Sequence, residues 1–359
     1  MLQNQKLSPA KTTTATFVST RNACKLCAPL GASIVFRGIE GCVPLIHGSQ
    51  GCSTYIRRYI ISHFKEPIDI ASSNFSEESA IFGGGDNLKK ALDNITRQYE
   101  PAAIGIATTC LSETIGDDIG LYLEQYRKDK LTEKMPALIH ASTPSYSGTH
   151  MEGYQAAVLA TVKALAEGGE PRDTVNIVSG FLSPEDLRYL KDILQDFGID
   201  YTLFPDYSET LDGESWATYQ KLSAGGTPVA SIRGMGRARA TVQLGGNISA
   251  TETAADYLES KYGVPALKLG LPIGLRETDK FFQTLEQLTG QPTPERYRQE
   301  RGRLIDAYID GHKYLFGKRA IIYGEMDFVA AMVSFLDEIG IIPVLCATGA
   351  YTGHFQEVS

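Results

Sequence analysis

The sequence contains a short run of small apolar residues that leads into a cysteine, Ala102-Ala-Ile-Gly-Ile-Ala107 followed by Thr108-Thr-Cys110. A continuous apolar run of this length is typical of a strand that is buried on both faces of a sheet. Open α/β sheets bind their ligands at the carboxyl edge of such parallel strands. The run therefore predicts an α/β fold with Cys110 at that edge, although a cysteine there, taken alone, is more readily a core residue.

The alternation of strands and helices continues along the chain. Helices are predicted over residues 53–65 and 153–165, and further strands over residues 137–140, 175–178, 201–204, 319–323 and 341–345. Three successive α/β units with parallel sheets flanked by helices follow from this pattern. The predicted divisions are a flexible arm over 1–21, a cluster-binding domain over 22–170, a second domain over 171–316, and a truncated third domain over 317–359.

The composition argues against a nucleic-acid or membrane partner. Of 359 residues, 43% are hydrophobic and 21% are charged, which is ordinary for a globular protein. The net charge of −8 lacks the basic face that nucleic acids require. No apolar run reaches the roughly 18 residues of a membrane span, and the N-terminal residues carry no apolar secretion signal. Six cysteines are too few for a disulfide scaffold, so we predict a cytoplasmic protein.

Three cysteines lie in turns rich in Gly, Ser or Thr. Cys27 begins Cys27-Ala-Pro-Leu-Gly-Ala, Cys52 ends His47-Gly-Ser-Gln-Gly-Cys52, and Cys110 follows the buried strand. Helix starts favour thiolates, and small residues let backbone N–H groups approach sulfides, so the trio suits an iron–sulfur cluster. A cubane usually takes four protein ligands, so a second chain would supply the rest. The alternative is that the cysteines are merely buried.

Other polar residues near the cysteines are interpreted as structural. Cys24 and Cys27 form a Cys-x-x-Cys pair, but no second pair and no His pair accompanies it, which argues against zinc. His47 is interpreted as a hydrogen-bonding residue in a turn. Three acids after Cys110 are interpreted as helix N-terminal residues that complement the helix dipole: Glu113, Asp117 and Asp118.

Together these stretches resemble the β-type subunits of the nitrogenase component 1 superfamily, densely over residues 22–165. Besides the cysteine stretches, the matching motifs are Tyr55-Ile-Arg57, His63-Phe-Lys-Glu-Pro67, Ala80-Ile-Phe-Gly-Gly84, Glu113-Thr-Ile-Gly-Asp-Asp118 and Thr143-Pro-Ser145. The resemblance implies three Rossmann-like domains and a heterotetramer of two α-type and two β-type subunits. It also implies an iron–sulfur cluster at the α/β interface and an ATP-dependent iron protein that delivers electrons to it.

The resemblance also implies roles for single residues. Cys27, Cys52 and Cys110 match the cysteines through which a catalytic β subunit holds the P-cluster. Ser145 matches a serine that adds an oxygen ligand to the oxidised cluster. Phe82 matches a position on the surface where the iron protein docks.

Two branches of the family fit the chain. The short arm before Cys27 and the form of residues 22–27 and 52–57 favour the NifN-type scaffold subunit of iron–molybdenum cofactor biosynthesis. We predict that function, with a NifE-like α-type partner and a shared 4Fe–4S or P-cluster-like 8Fe–7S cluster. The alternative is a catalytic β subunit with half of a P-cluster site and a NifD-like partner, or a related reductase subunit. Because some scaffold subunits keep only the cysteine that matches Cys52, the presence of all three cysteines and Ser145 favours this alternative.

Overall fold

The buried strand that precedes Cys110 is a central strand of a four-stranded parallel sheet. The computed structural model describes residues 26–130, 135–246 and 251–349. The elements up to residue 165 are α1 (Ala28–Arg37), β1 (Cys42–His47), α2 (Gln50–Phe64), β2 (Ala71–Ser72), α3 (Glu77–Phe82), α4 (Gly85–Tyr99), β3 (Ala103–Thr108), α5 (Cys110–Ile115), α6 (Ile119–Asp129), β4 (Ala137–Ala141) and α7 (His150–Leu165). The strand order is β2-β1-β3-β4, and all six residues of β3 are buried.

A glycine in β3 lets α1 lie close against this sheet. A Cβ atom on Gly105 would stand 2.1 Å from the ring of Phe36, which is fully buried. The ring therefore occupies the space that any other side chain would need. The small residues that mark the strand in the sequence thus have a packing reason, because they make room for α1.

A second four-stranded parallel sheet follows, with the order β6-β5-β7-β8. Its part of the chain consists of β5 (Arg172–Val178), α8 (Pro184–Asp196), β6 (Tyr201–Phe204), α9 (Val229–Gly234), a 3₁₀ turn (Met235–Arg237), β7 (Ala238–Leu244), α10 (Ala254–Tyr262), β8 (Ala266–Leu269), α11 (Gly274–Thr289) and α12 (Glu295–Leu315). A third, two-stranded parallel sheet is formed by β9 (Arg319–Gly324) and β10 (Ile342–Thr348), which α13 (Met326–Glu338) connects. The predicted α/β fold with helix-flanked parallel sheets is confirmed.

The sequence placed two element boundaries near the cysteines wrongly. Helix α2 begins at Gln50 rather than at residue 53, so Cys52 lies inside the first turn instead of before it. Strand β3 runs to Thr108, one residue beyond the predicted run, and Cys110 is the first residue of the helix that follows. Both shifts put a cysteine at the start of a helix.

One buried cluster extends across the first two sheets. It includes Val35 and Phe36 from the first unit and Val175 and Leu203 from the second. The predicted domain boundaries therefore stay a prediction. The predicted arm over 1–21 and Cys24 lie outside the described residues. Among the residues that the structure describes, no helix has the length and apolar character needed to cross a membrane.

Candidate functional site

Three cysteines lie at the starts of three helices. Cys27 is the N-cap of α1, Cys52 is in the first turn of α2, and Cys110 opens α5. Since β1 and β3 are parallel neighbours, the helices that follow them start at the same carboxyl edge of the sheet. Cys52 and Cys110 are exposed and Cys27 is half-buried. The partial positive charge of a helix start favours a thiolate, so each position suits a sulfur ligand.

Ser145 joins two of the cysteine segments through hydrogen bonds. Its Oγ accepts from the backbone N–H of Ala28 at 3.1 Å, and its own N–H donates to Sγ of Cys110 at 3.3 Å. Ser145 follows β4, the strand beside β3. The start of α1, with Cys27, and the start of α5 therefore meet at this serine.

The loop that carries Ser145 is fixed to the end of β3. The N–H of Thr143 donates to Oγ1 of Thr108 at 2.8 Å, and the hydroxyl of Thr143 donates to the Thr108 carbonyl at 2.7 Å. The carboxylate of Glu113 accepts from the hydroxyls of Thr108 and Ser142. Glu113 does lie in the first turn of α5, as predicted, but its bonds to two other segments were missed. They hold the loop in place beside the thiol of Cys110.

The charges of Cys52 and Cys110 act on the thiol of Cys27. The pKa of the Cys27 thiol is raised, mainly because burial disfavours the thiolate, and the charges of Cys52 and Cys110 add to this effect. The backbone N–H of Leu30 acts in the opposite direction. Thiolates whose charges act on one another repel unless a cation lies between them, and coordination to a metal keeps a thiol deprotonated. The donor set is therefore chemically suited to an iron–sulfur group.

The thiols do not form a site for a single ion. Within residues 26–130, 135–246 and 251–349, no three His, Cys, Asp or Glu side chains are grouped so that they could hold one metal ion. Apolar side chains that are 40–59% exposed lie near Cys52, Cys110 or Ser145 in sequence: Tyr55, Tyr59, Leu111 and Tyr146. Exposed apolar groups of this kind mark surfaces that other proteins cover.

The start of α1 is held by close contact with α7. The N–H of His150 donates to the Leu26 carbonyl at 3.0 Å. A Cβ atom on Gly31 would stand 1.8 Å from the His150 carbonyl oxygen, and one on Gly153 would stand 1.9 Å from that of Ala28. The two glycines thus let the first turns of both helices touch through their backbones. This contact fixes the segment that carries the half-buried thiol.

His47 and Asp117 form a buried pair that the sequence did not predict. Their side chains are 0% and 3% exposed, and Nε2 of His47 lies 3.1 Å from Oδ2 of Asp117. The pKa of His47 is lowered, chiefly by burial, while Asp117 acts to raise it. The interpretation of Asp117 as a helix N-terminal acid is wrong, because it follows the left-handed Gly116 that ends α5 and bonds across the fold. Asp118 does cap a helix, α6.

Phe82 lies away from the thiols in the chain, at the end of α3. Its side chain is 81% exposed, and that of Ile81 is 74% exposed. Gly83 follows in a left-handed conformation with a φ of 91°, which favours glycine. The two apolar side chains therefore form an exposed tip at a sharp turn.

We expect replacement of Ser145 by alanine to loosen the start of α1. The Ala28 N–H would lose its acceptor, which typically costs about 1 kcal/mol and should speed exchange of that amide about fivefold. Hydrogen–deuterium exchange of the peptide that contains Ala28 measures this effect. Ser147→Ala is the matched control, because the Ser147 hydroxyl donates within its own loop, to the carbonyl of Pro144. Equal amide exchange of this peptide in wild type and Ser145→Ala would contradict the role of Ser145 in holding the start of α1.

Comparison with known proteins yields one family. The profile described as "Nitrogenase component 1 type Oxidoreductase" matches residues 27–358. The chain is 39% identical over 337 residues to the nitrogenase molybdenum-iron protein beta chain of Clostridium pasteurianum, covering 94% of this chain and 73% of the relative. It is 36% identical to the nitrogenase vanadium-iron protein beta chain of Trichormus variabilis, covering 90% and 70% of the two chains.

A solved structure gives the same result. The structure titled "Nitrogenase Cp1 at pH 6.5" superposes with a TM-score of 0.90 at 37% sequence identity, covering 98% of this chain and 76% of that chain. The family profile, the sequence relatives and the fold agree over nearly all of the described residues. The chain therefore belongs to the nitrogenase component 1 type oxidoreductase family, in which β chains are among its relatives.

Proposed function

We propose that this chain is the β-type subunit of a nitrogenase component 1 complex and supplies half of an interfacial cluster site. The observation that carries the proposal is Ser145, which hydrogen-bonds to the segments of Cys27 and Cys110, while the charges of Cys52 and Cys110 both act on the Cys27 thiol. A bound iron–sulfur cluster would supply one-electron transfer. The chain's own residues would hold it by thiolates, with Ser145 Oγ beside the site.

An α-type subunit is the partner that this surface fits. Cys52 and Cys110 are exposed, so a cluster bound to them would face the solvent unless another chain covered it. Three aromatic side chains that are near Cys52 or next to Ser145 in sequence are each more than half exposed: Tyr55, Tyr59 and Tyr146. Aromatic residues of this kind are enriched in protein interfaces. A partner that covers them would also add the remaining ligands.

Within the family we propose the catalytic branch, with a P-cluster-like 8Fe–7S group, rather than the maturation scaffold. The presence of three thiols and a serine supports this assignment, and so do the relatives, which are beta chains of molybdenum–iron and vanadium–iron proteins. The scaffold function, with a NifE-like partner and a 4Fe–4S cluster, is the alternative outcome of the same experiment.

We further propose that Ile81 and Phe82 form part of the surface on which an ATP-dependent iron protein docks. Both side chains are largely exposed at the end of α3. Glu77 and Glu78 lie in the first turn of the same short helix. An apolar tip with acidic residues next to it fits a partner whose interface has apolar contacts and a basic rim.

Anaerobic reconstitution tests the proposal. The chain is co-produced with a NifD-like or a NifE-like α-type subunit, and the purified complex is examined by iron analysis, EPR and acetylene reduction with the iron protein. We expect an eight-iron interfacial cluster and substrate reduction with the NifD-like partner. A four-iron cluster without turnover, but with transfer of cofactor precursor, would support the scaffold instead. Iron-free complex with an intact partner would contradict both.

A further inference from the structure

The carboxylate of Asp117 is a junction of three segments that are far apart in the sequence. It accepts from the backbone N–H of Gly84 at 3.1 Å and from the hydroxyl of Tyr122 at 3.3 Å. It also lies 3.1 Å from Nε2 of His47. Because a carboxylate only accepts, His47 donates from Nε2. Asp117 thus ties the turn after Phe82 to the end of β1 and to the end of α5.

The exposed tip is rigidly attached to this junction. A Cβ atom on Gly84 would stand 2.3 Å from the ring of Phe75 and 2.8 Å from the Asp117 carboxylate. The Phe75 ring in turn packs edge-on against His47, with 4.7 Å between ring centroids. The turn, Phe75 and His47 are thus in successive contact, so a displacement of the turn toward Phe75 would press on His47. Dense packing of this kind transmits strain.

His47 connects Asp117 to the two segments that carry Cys52 and Cys110. The carbonyl of His47 accepts from the N–H of Thr109 at 3.2 Å and from its hydroxyl at 3.1 Å. Thr109 is the N-cap of the helix that Cys110 opens. A Cβ on Gly48 would stand 2.4 Å from the Thr109 side chain, so these segments touch directly. Residue 48 is followed by the N-cap of α2, whose first turn carries Cys52.

We propose that Asp117 is a positioning residue that couples the exposed tip at Phe82 to the helix starts that carry Cys52 and Cys110. Docking of the electron-donating partner on the tip would shift Gly84, and the shift would pass through Asp117 and His47 to both thiols. The coupling rests on the proposed function, because it needs both a docked donor and a cluster. In this proposal Asp117, a buried carboxylate that is not a cluster ligand, controls how docking alters the midpoint potential of the cluster.

The structure indicates why a carboxylate is needed. Asp117 receives three donors at once: a backbone N–H, a phenol and an imidazole N–H. Asparagine has nearly the same shape but only one acceptor oxygen, and its NH₂ group would face another donor. Asp117→Asn therefore keeps the volume of the junction while breaking part of its bonding. Asp118→Asn is the matched control, since it removes the same charge at the next residue and asparagine remains a good N-cap for α6.

The test uses the complete complex with its α-type partner and the iron protein. Docking affinity, the EPR-monitored midpoint potential with and without the docked protein, and the rate of electron transfer are measured for both variants. We expect Asp117→Asn to retain its iron and to bind the iron protein with a Kd within about twofold of wild type. The docking-induced change in potential should be lost, and electron transfer should slow by about tenfold. Asp118→Asn should match wild type in potential change and rate.

Several results would overturn the coupling. One is an undiminished docking-induced change in potential in Asp117→Asn, and another is an equal loss in Asp118→Asn. Tyr122→Phe removes one donor from the junction and should give a partial loss, which keeps the coupling testable if Asp117→Asn does not fold. A full response in Tyr122→Phe would then refute it. Failure of the proposed function is seen separately, as wild-type complex that binds no iron or no iron protein.

Discussion

Replacement of Cys110 by alanine is expected to remove the iron held at the subunit interface while leaving the fold of this chain intact. Cys110 is exposed at the first position of α5, and alanine is the best helix former. The N-cap Thr109, with its capping box to Ser112, is unaffected by the change. Removing an exposed side chain typically changes stability by no more than about 0.5 kcal/mol, and the hydrogen bond that is lost, from the Ser145 N–H to Sγ, is itself exposed. A large loss of iron would thus report ligand loss and not unfolding.

The measurement compares iron content, the EPR spectrum and urea unfolding of the variant and wild-type complexes. Cys346→Ala is the control, because Cys346 is a partly buried thiol in β10, outside the candidate site. It should keep full iron. Cys110→Ser should recover part of the iron, since a serine oxygen can replace a thiolate as a weaker ligand. Full iron retention and an unchanged spectrum in Cys110→Ala would exclude Cys110 from the ligand set.

The parts of the fold that sequence predicts well depend on local pattern. The run 102–107 predicts a strand from its small apolar residues, and the structure shows that they leave room for Phe36 on one side. Strand β1 was not predicted. It contains Pro44, and proline within a run argues against a central strand. Pro44 is tolerated because the neighbouring edge strand, β2, has two residues and pairs with Leu45 and Ile46 rather than with Pro44.

In the candidate site, too, some residues could be predicted from local pattern and others could not. The three cysteines were predicted as ligands because they lie in small-residue turns, and the helix at Cys52 was predicted with its start three residues late. The residues that hold these turns together could not be identified. Glu113 bonds to Ser142, and Asp117 bonds to His47 and Gly84, across 29 to 70 positions of sequence. Such partners depend on how the strands are ordered in the sheet, which no local pattern encodes.

Replacement of Gly153 by alanine should destabilise the protein and displace the start of α1. The new Cβ would stand 1.9 Å from the carbonyl oxygen of Ala28 and 2.5 Å from its carbonyl carbon, both backbone atoms that cannot rotate away. In an open helix position, glycine to alanine gains about 0.5–1 kcal/mol. Overpacking typically costs about 1–3 kcal/mol, and a clash with backbone lies at the upper end, so the steric cost should win.

Gly302→Ala is the same substitution, but it should change the stability in the opposite direction. Gly302 lies in α12, and a Cβ there would meet nothing within 4 Å, so only the gain in helix propensity remains. Urea unfolding of the two variants should therefore show Gly153→Ala below wild type and Gly302→Ala above it. Because Ala28 follows Cys27 and donates to Ser145, Gly153→Ala should also lower the iron content, whereas Gly302→Ala should not. If both variants were stabilised equally, α1 and α7 would have room to separate, and the glycine contact could not be what positions Cys27.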